Sequence, residues 1–183
     1  MPRILGQRIM LREYKAEDIG PIREWVNDAP TTRYLSTRYW APQTMIDTQE
    51  FLNRQLQSSH NGYNFVIADI QDEHYIGQLD MYRVDWRLRC GEIGMVIGDS
   101  SERGRGIGQE SLCLLQQFAF VTLGLERLEL EVHMENTAAL GCYRKAGFFL
   151  EGVKRHAFYS DGKYCDVGFL SILRDEYFEQ VQR

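Results

Sequence analysis

Eight consecutive residues, Glu102-Arg103-Gly104-Arg105-Gly106-Ile107-Gly108-Gln109, place three glycines and two arginines immediately before an apolar run at helical spacing. Glycine lets the backbone approach a ligand closely. The first turn of a following helix leaves N–H groups without intrahelical acceptors, and its dipole favours anions. Arg103 and Arg105 add positive charge and bidentate donors. The chemistry that fits is the holding of a pyrophosphate. Spacing excludes two other phosphate sites. A dinucleotide fold needs G-x-G-x-x-G, and Gly108 falls one residue early; a P-loop needs Gly-Lys-[Ser/Thr], and no Lys follows these glycines.

This loop needs a strand before it and a helix after it. Residues 92–98 read as the strand, and about 107–122 as the helix. Residues 127–133 then alternate strictly, with Leu128, Leu130 and Val132 on one face and Glu129, Glu131 and His133 on the other. A short helix is expected at about 137–146, stopping at Gly147. Strands 152–159 and 164–172 flank the hairpin signal Ser160-Asp161-Gly162-Lys163. Upstream, the pattern predicts a strand over 8–14 and a helix over 16–28, with Pro21 in its first turn or at a kink. Residues 29–41, with Pro30 inside and Pro42 just beyond, read as loop. A helix follows over 43–58 with Met45, Phe51 and Leu56 as inward positions, then strands 63–70 and 75–84 across the turn Gln71-Asp72-Glu73-His74. The order βααβββαβαββ, ending in a short amphipathic tail, gives a mixed α/β sheet and not repeated βαβ units.

Composition narrows the function. The 183 residues fit one domain, 1–183, and 44% hydrophobic with 26% charged residues marks a globular protein. The net charge of −5 argues against a broad nucleic-acid or anionic-membrane surface. Cys90, Cys113, Cys142 and Cys165 form no C-x-x-C pair and have no His at ligand spacing, so no metal site is expected. The start Met-Pro-Arg shows no apolar leader, and no run of about 18 apolar residues occurs. The expectation is a cytoplasmic protein with reduced thiols and no membrane span. Monomer and homodimer are both compatible with the sequence.

The loop resembles the pyrophosphate motif [Q/R]-x-x-G-x-[G/A] of the GNAT N-acetyltransferase family, met by Arg103, Gly106 and Gly108. Asn136-Thr137-Ala138-Ala139-Leu140-Gly141-Cys142-Tyr143-Arg144-Lys145-Ala146-Gly147-Phe148 is similar to that family's N-x-x-A-x-x-x-Y-x-x-x-G-F segment. The likeness is at motif level over about 90–172 and architectural over 8–89. The ending over 160–172 resembles the subgroup of ribosomal-protein N-terminal and spermidine N-acetyltransferases. The resemblance implies the acyl-CoA N-acyltransferase fold: a mixed, mostly antiparallel central sheet with splayed middle strands and flanking helices.

It also implies roles. Acetyl-CoA is the co-substrate, bound between strands like 92–98 and 127–133. Backbone groups of Met95, Val96 and Ile97 pair with the pantetheine arm. Amides of Arg103, Gly104, Arg105, Gly106, Ile107 and Gly108 hold the pyrophosphate. Asn136 bonds the pantetheine or caps the short helix, two compatible roles. Ala139 shares a helix face with Tyr143 and leaves the cofactor room. Tyr143 is the general acid, since a phenol with a pKa of about 10 can protonate the departing thiolate. Glu131 is the first candidate base and Glu92 the second. A backbone amide of strand 92–98 stabilises the oxyanion.

The acceptor is a small-molecule amine or a peptide N-terminus; polyamines and amino sugars, aminoglycosides included, are alternatives, as is a non-catalytic CoA-binding sensor. Residues 29–46 contain no Asp or Glu, but carry Arg33 and Arg38 with Tyr34, Tyr39 and Trp40, flanked by Asp28 and Asp47. A polycation needs carboxylates for its distal amines. The expectation is therefore an enzyme not dedicated to spermidine. Aromatic core packing is the reading for Trp25.

Overall fold

The computed structural model describes residues 3–57 and 62–182. Two compact units divide them: the chain up to Tyr82 with Gly94–Ser111, and Arg83–Ile93 with Leu112 onward.

The first unit holds strands β1 (Ile4–Leu5), β2 (Ile9–Arg12), β3 (Tyr63–Asp69), β4 (Tyr75–Asp85) as far as Tyr82, and β5 (Cys90–Ile97) from Gly94 on. They lie in the order β1-β2-β3-β4-β5. The β1–β2, β2–β3 and β3–β4 ladders are antiparallel, with Leu5 opposite Met10, Met10 opposite Ala68, and Phe65 opposite Leu79. Helices α1 (Ile19–Trp25), α2 (Ala29–Thr32) and α3 (Met45–Leu56) belong to this unit, which ends in the first turn of α4 (Ile107–Gln117). Its core gathers Met10, Tyr14, Ile22, Trp25, Leu52, Val66 and Tyr75, with Tyr39, Phe51 and Val96 packed against them. A buried ion pair ties the end of β2 to the turn before α1. Arg12 Nη2 lies 2.7 Å from Asp18 Oδ1, with side-chain exposures of 2% and 4%.

In the second unit Cys90–Glu92 of β5 pair in parallel with Arg127–Glu129 of β6 (Arg127–His133), which runs on past the ladder to His133. After α5 (Thr137–Lys145) come β7 (Phe149–Ser160), β8 (Lys163–Leu173) and α6 (Arg174–Val181), and the strand order is β5-β6-β8-β7. Leu128, Leu130 and Val132 are buried, as their alternation demands. Asp161 and Gly162 both take positive φ, 51° and 79°, the backbone of a tight two-residue hairpin turn. The fold is a mixed, mostly antiparallel sheet with one parallel pair, flanked by helices.

Several elements differ from their sequence readings. Residues 29–41 are not plain loop, because α2 and a 3₁₀ turn at Thr37–Trp40 form there. Asp28 caps α2 by accepting from the Thr31 N–H at 3.1 Å, and Pro30 sits in the first turn, where its missing N–H costs nothing. In α3, Met45 and Leu56 are exposed, and Thr48 and Leu52 are buried. The inward stripe is 48, 51 and 52; Thr48 hides its polarity by donating to the Thr44 carbonyl at 3.1 Å. Residue 58, the expected end of this helix, lies outside the described residues. The long helix expected to reach 122 leaves α geometry at Phe118 for a π-helical turn, Phe118–Thr122. β5 and β7 begin at Cys90 and Phe149, earlier than read, and β7 carries register shifts at Leu150/Gly152 and Lys154/Phe158 that break its alternation.

Removing one partner of a buried ion pair strands the other charge. Asp18→Ala is expected to lower the unfolding free energy by ~3–5 kcal/mol, read from the urea midpoint at unchanged slope. A midpoint equal to wild type would show that Arg12 finds another partner.

Candidate active site

In the first unit the loop after β5 is shaped by two left-handed glycines, Gly104 at φ 72° and Gly106 at φ 84°. Residues with a Cβ rarely adopt that region. The turn delivers the chain into α4 at Ile107, whose first-turn N–H groups have no intrahelical acceptor. Arginines fix this geometry. Arg103 folds back on the end of β5: its Nη2 donates to the Ile97 carbonyl at 2.8 Å and to Thr31 Oγ1 at 2.6 Å. Its donors therefore staple the loop to strand and helix, so what the loop offers an anion is backbone. Arg105 remains exposed and pairs with Glu102 at 2.5 Å.

Arg8 was not singled out in the sequence, where it reads only as the start of a strand. Its Nη1 donates to the Arg105 carbonyl at 2.6 Å, and its Nε donates to Glu110 Oε2 at 2.8 Å. The other Glu110 oxygen accepts the backbone N–H groups of Gln7 and Arg8 at 2.8 and 2.9 Å. The clamp holds the Arg105 carbonyl in place within the turn. Nothing local in the sequence signals a pairing of residues about 100 positions apart. Met95, Val96 and Ile97 lie on β5 in this same unit.

The second unit carries the other nominated residues. Tyr143 on α5 is 6% exposed, its ring edge-on to Phe148 with centroids 5.7 Å apart. Burial pushes its phenol well above the ordinary tyrosine value, so the proton stays on oxygen throughout the neutral range. Asn136 is the N-cap of α5; its Oδ1 accepts from the Ala139 N–H at 3.1 Å, which leaves the Nδ2 amide as the donor half. Ala139 is half-buried in the first turn, and the sequence spacing puts it one turn before Tyr143. Glu131 is exposed and ion-paired to Lys154. Glu92 lies 4.0 Å from the Arg83 guanidinium.

Asp69, Asp72 and His74 come together in the β3–β4 turn. There Asp69 accepts the Gln71 N–H and Asp72 the His74 N–H, at 2.7 and 3.0 Å, which accounts for their placement as turn chemistry.

A model of the acetyltransferase (GNAT) domain matches residues 8–149. The chain belongs to the GNAT acetyltransferase family. An uncharacterized N-acetyltransferase of Bacillus licheniformis is 25% identical over 97% of this chain and 99% of its own length. Spermidine N(1)-acetyltransferase of Vibrio cholerae is 26% identical over 97% of this chain and 100% of its own. Among solved structures, a GNAT acetyltransferase from Bacillus anthracis superposes with a TM-score of 0.82 at 20% identity, covering 95% of this chain and 99% of that one. Spermidine N-acetyltransferase from Vibrio cholerae, in complex with CoA and spermine, gives 0.80 at 24% identity, covering 93% and 98%. This GNAT enzyme is an acetyl-CoA-dependent N-acetyltransferase. Among its described residues no helix is long and apolar enough to cross a membrane.

The loop geometry gives a direct expectation. A Cβ at Gly106 would stand 3.3 Å from Arg8 Nη2, at a φ hostile to branched side chains. Gly106→Val should leave the far-UV circular dichroism unchanged and weaken CoA by about tenfold to a hundredfold, the cost of one to two charge-assisted bonds. Calorimetry showing wild-type CoA affinity in the folded variant would contradict this.

Proposed function

We propose that residues 1–183 act as one catalytic domain that transfers acetyl from acetyl-CoA to a primary amine by direct attack, with Tyr143 as the general acid. The observation that carries the reading is the left-handed pair Gly104 and Gly106 at the entry to α4, and a phenol in the second unit that keeps its proton supports it. Amides of 103–108 take the pyrophosphate, and backbone groups of Met95, Val96 and Ile97 take the pantetheine amides as an added strand would. The Nδ2 amide of Asn136 donates to the same arm, and Ala139 leaves it space.

The neutral amine attacks the thioester carbon, the C–N bond forms, and collapse breaks the C–S bond. The thiolate so released takes a proton from Tyr143 Oη, and the proton that the new amide nitrogen loses returns to the tyrosinate. Glu131 is our first candidate for drawing the ammonium proton off through water and Glu92 our second. The loss of Lys154 from Glu131 would precede that step, since the ion pair now occupies its carboxylate.

For the acceptor we propose a primary amine with an apolar part or a negative group, such as a peptide N-terminus or an amino sugar carrying a phosphate. Support comes from the segment 29–46, where Arg38 and Tyr39 line a small recess with Trp25 and Asp47, and Trp40 is exposed. The relatives named for spermidine favour a polyamine as the second reading. A homodimer stays open beside a monomer.

Tyr143→Phe removes the acid and keeps the ring. It should leave CoA affinity unchanged and lower kcat by about tenfold to a thousandfold, acid catalysis being worth roughly 10²–10⁴. Thiol release at the wild-type rate in this variant would remove Tyr143 from the chemistry.

A further inference from the structure

One carboxylate of the first unit is treated unlike its neighbours. Asp18 has Arg12, Glu73 has Lys15 and Arg3, and Glu110 has Arg8. Asp28, Asp47 and Asp99 cap helical turns. Among the described residues, Asp80, on β4, has neither a cation nor a cap. Its oxygens receive the Tyr14 hydroxyl at 3.4 Å, Gln78 Nε2 at 3.2 Å and a backbone bond from Phe65. Charge-assisted O–H···O⁻ bonds are normally about 2.5–2.7 Å. All three donors are neutral, and the two side-chain bonds are long.

The surroundings are built to hold a negative charge there without cancelling it. Trp25 Nε1 donates to Tyr75 Oη at 2.9 Å, Tyr75 Oη to Gln78 Oε1 at 3.4 Å, and Gln78 turns its Nε2 to Asp80. The walls are aromatic: Tyr14, Trp25 and Tyr75 are buried in one cluster, and Tyr39 packs on it with its ring 5.8 Å from Trp25. Aromatic faces attract cations. Asp80 as a residue is half-buried.

The position suits the reaction. On β4, Asp80 lies between Gly77 and Tyr82. A Cβ on Gly77 would be 2.3 Å from the Val96 carbonyl, and one on Gly94 would be 3.4 Å from the Tyr82 ring. Asp80 therefore sits on the strand flush against Gly94–Ile97, the backbone assigned above to the pantetheine arm.

We propose that Asp80, walled by Tyr14, Trp25, Tyr39 and Tyr75, is the subsite that receives the acceptor's ammonium group, and that the acceptor is a monoammonium with an aromatic or apolar neighbour. This rests on the acetyl-transfer reading and deepens it. Arg38 lines the same recess as Tyr39 and Trp25, and its guanidinium opposes a second cation there. Burial pushes Asp80 up to about 7, the value of a carboxylate still lacking its counter-ion. The other titratable groups facing it are the phenols of Tyr14, Tyr39 and Tyr75, all raised by burial and neutral in this range. Asp18, which acts on Tyr14 and Tyr75, is held by Arg12.

The test is calorimetric binding of tyramine and of spermidine to the CoA-saturated protein at pH 6 and pH 8, for wild type and Asp80→Asn. Wild type should bind tyramine more tightly than spermidine. Its tyramine affinity should be about tenfold weaker at pH 6, where a group titrating near 7 is about one-tenth ionised. Asp80→Asn should lose at least about thirtyfold in tyramine affinity at pH 8, lose the pH dependence, and keep CoA affinity. It should also melt higher than wild type at pH 8. A raised carboxylate pKa means the charged form opposes folding, a cost that sets in as pH rises towards 7 and that Asn removes. Equal tyramine affinity in the two proteins, a flat wild-type pH response, no tyramine binding by wild type, or a less stable variant each overturns the Asp80 subsite. Tighter spermidine binding overturns the monoammonium class. No step needs turnover, so an enzyme that binds tyramine yet acetylates no amine would refute the functional reading and leave the subsite standing.

Discussion

A pyrophosphate can be held without lysines only if several backbone N–H groups converge on one side of a turn and stay there. On the proposed reading, that demand organises much of the first unit. It requires positive φ at Gly104 and Gly106, which takes the chain through a tight turn into α4. It requires something to hold that carbonyl, which Arg8 does, and something to hold Arg8, which is Glu110. It requires a fixed approach from β5, which Arg103 provides by bonding the Ile97 carbonyl and Thr31. Side chains that look from their charge like ligands for phosphate serve here mainly to shape backbone. The glycines are irreplaceable for a conformational reason, and the arginines for a geometric one.

What could be read from the sequence was whatever depends on neighbours in the chain. The strand–loop–helix around Gly106, the alternation of 127–133, the stop at Gly147 and the Asp161-Gly162 turn each follow from local rules, and Gly147 takes φ 88° as a helix terminator should. What could not be read depends on distant partners. Arg8 becomes meaningful only through Glu110 and Arg105, and Asp80 only through Tyr14 and Gln78. The errors in α2 and α3 have a different origin: Pro30 and Thr48 break a hydropathy pattern, yet one sits in a first turn and the other bonds its own helix. Of the nominated site residues, Asn136 caps α5, Tyr143 lies on it and Glu131 lies on β6 of the second unit, and the roles given to them remain proposals.

The two ends of the chemistry ask opposite things of burial. In the proposed mechanism Tyr143 keeps a proton until a thiolate appears, and burial raises its pKa. Asp80 must attract a cation, and the same desolvation leaves it a carboxylate without a counter-ion. In each case the folded protein carries a group whose charged form is disfavoured, and the substrate relieves it. Arg12 and Asp18, more deeply buried than Asp80, show the structural alternative: a pair already satisfied.

The central claim is that acetyl-CoA gives up its acetyl group to an amine on this protein. Incubating wild-type enzyme with acetyl-CoA and a panel of a tripeptide, tyramine, glucosamine 6-phosphate and spermidine, while following free thiol and acetylated amine together, tests it most directly. The account predicts that thiol and acetylated amine appear in equal amounts, with at least one amine, and that thiol release stops when the amine is withheld. Thiol released at the same rate without any amine, or CoA bound with no transfer to any member of the panel, would contradict it.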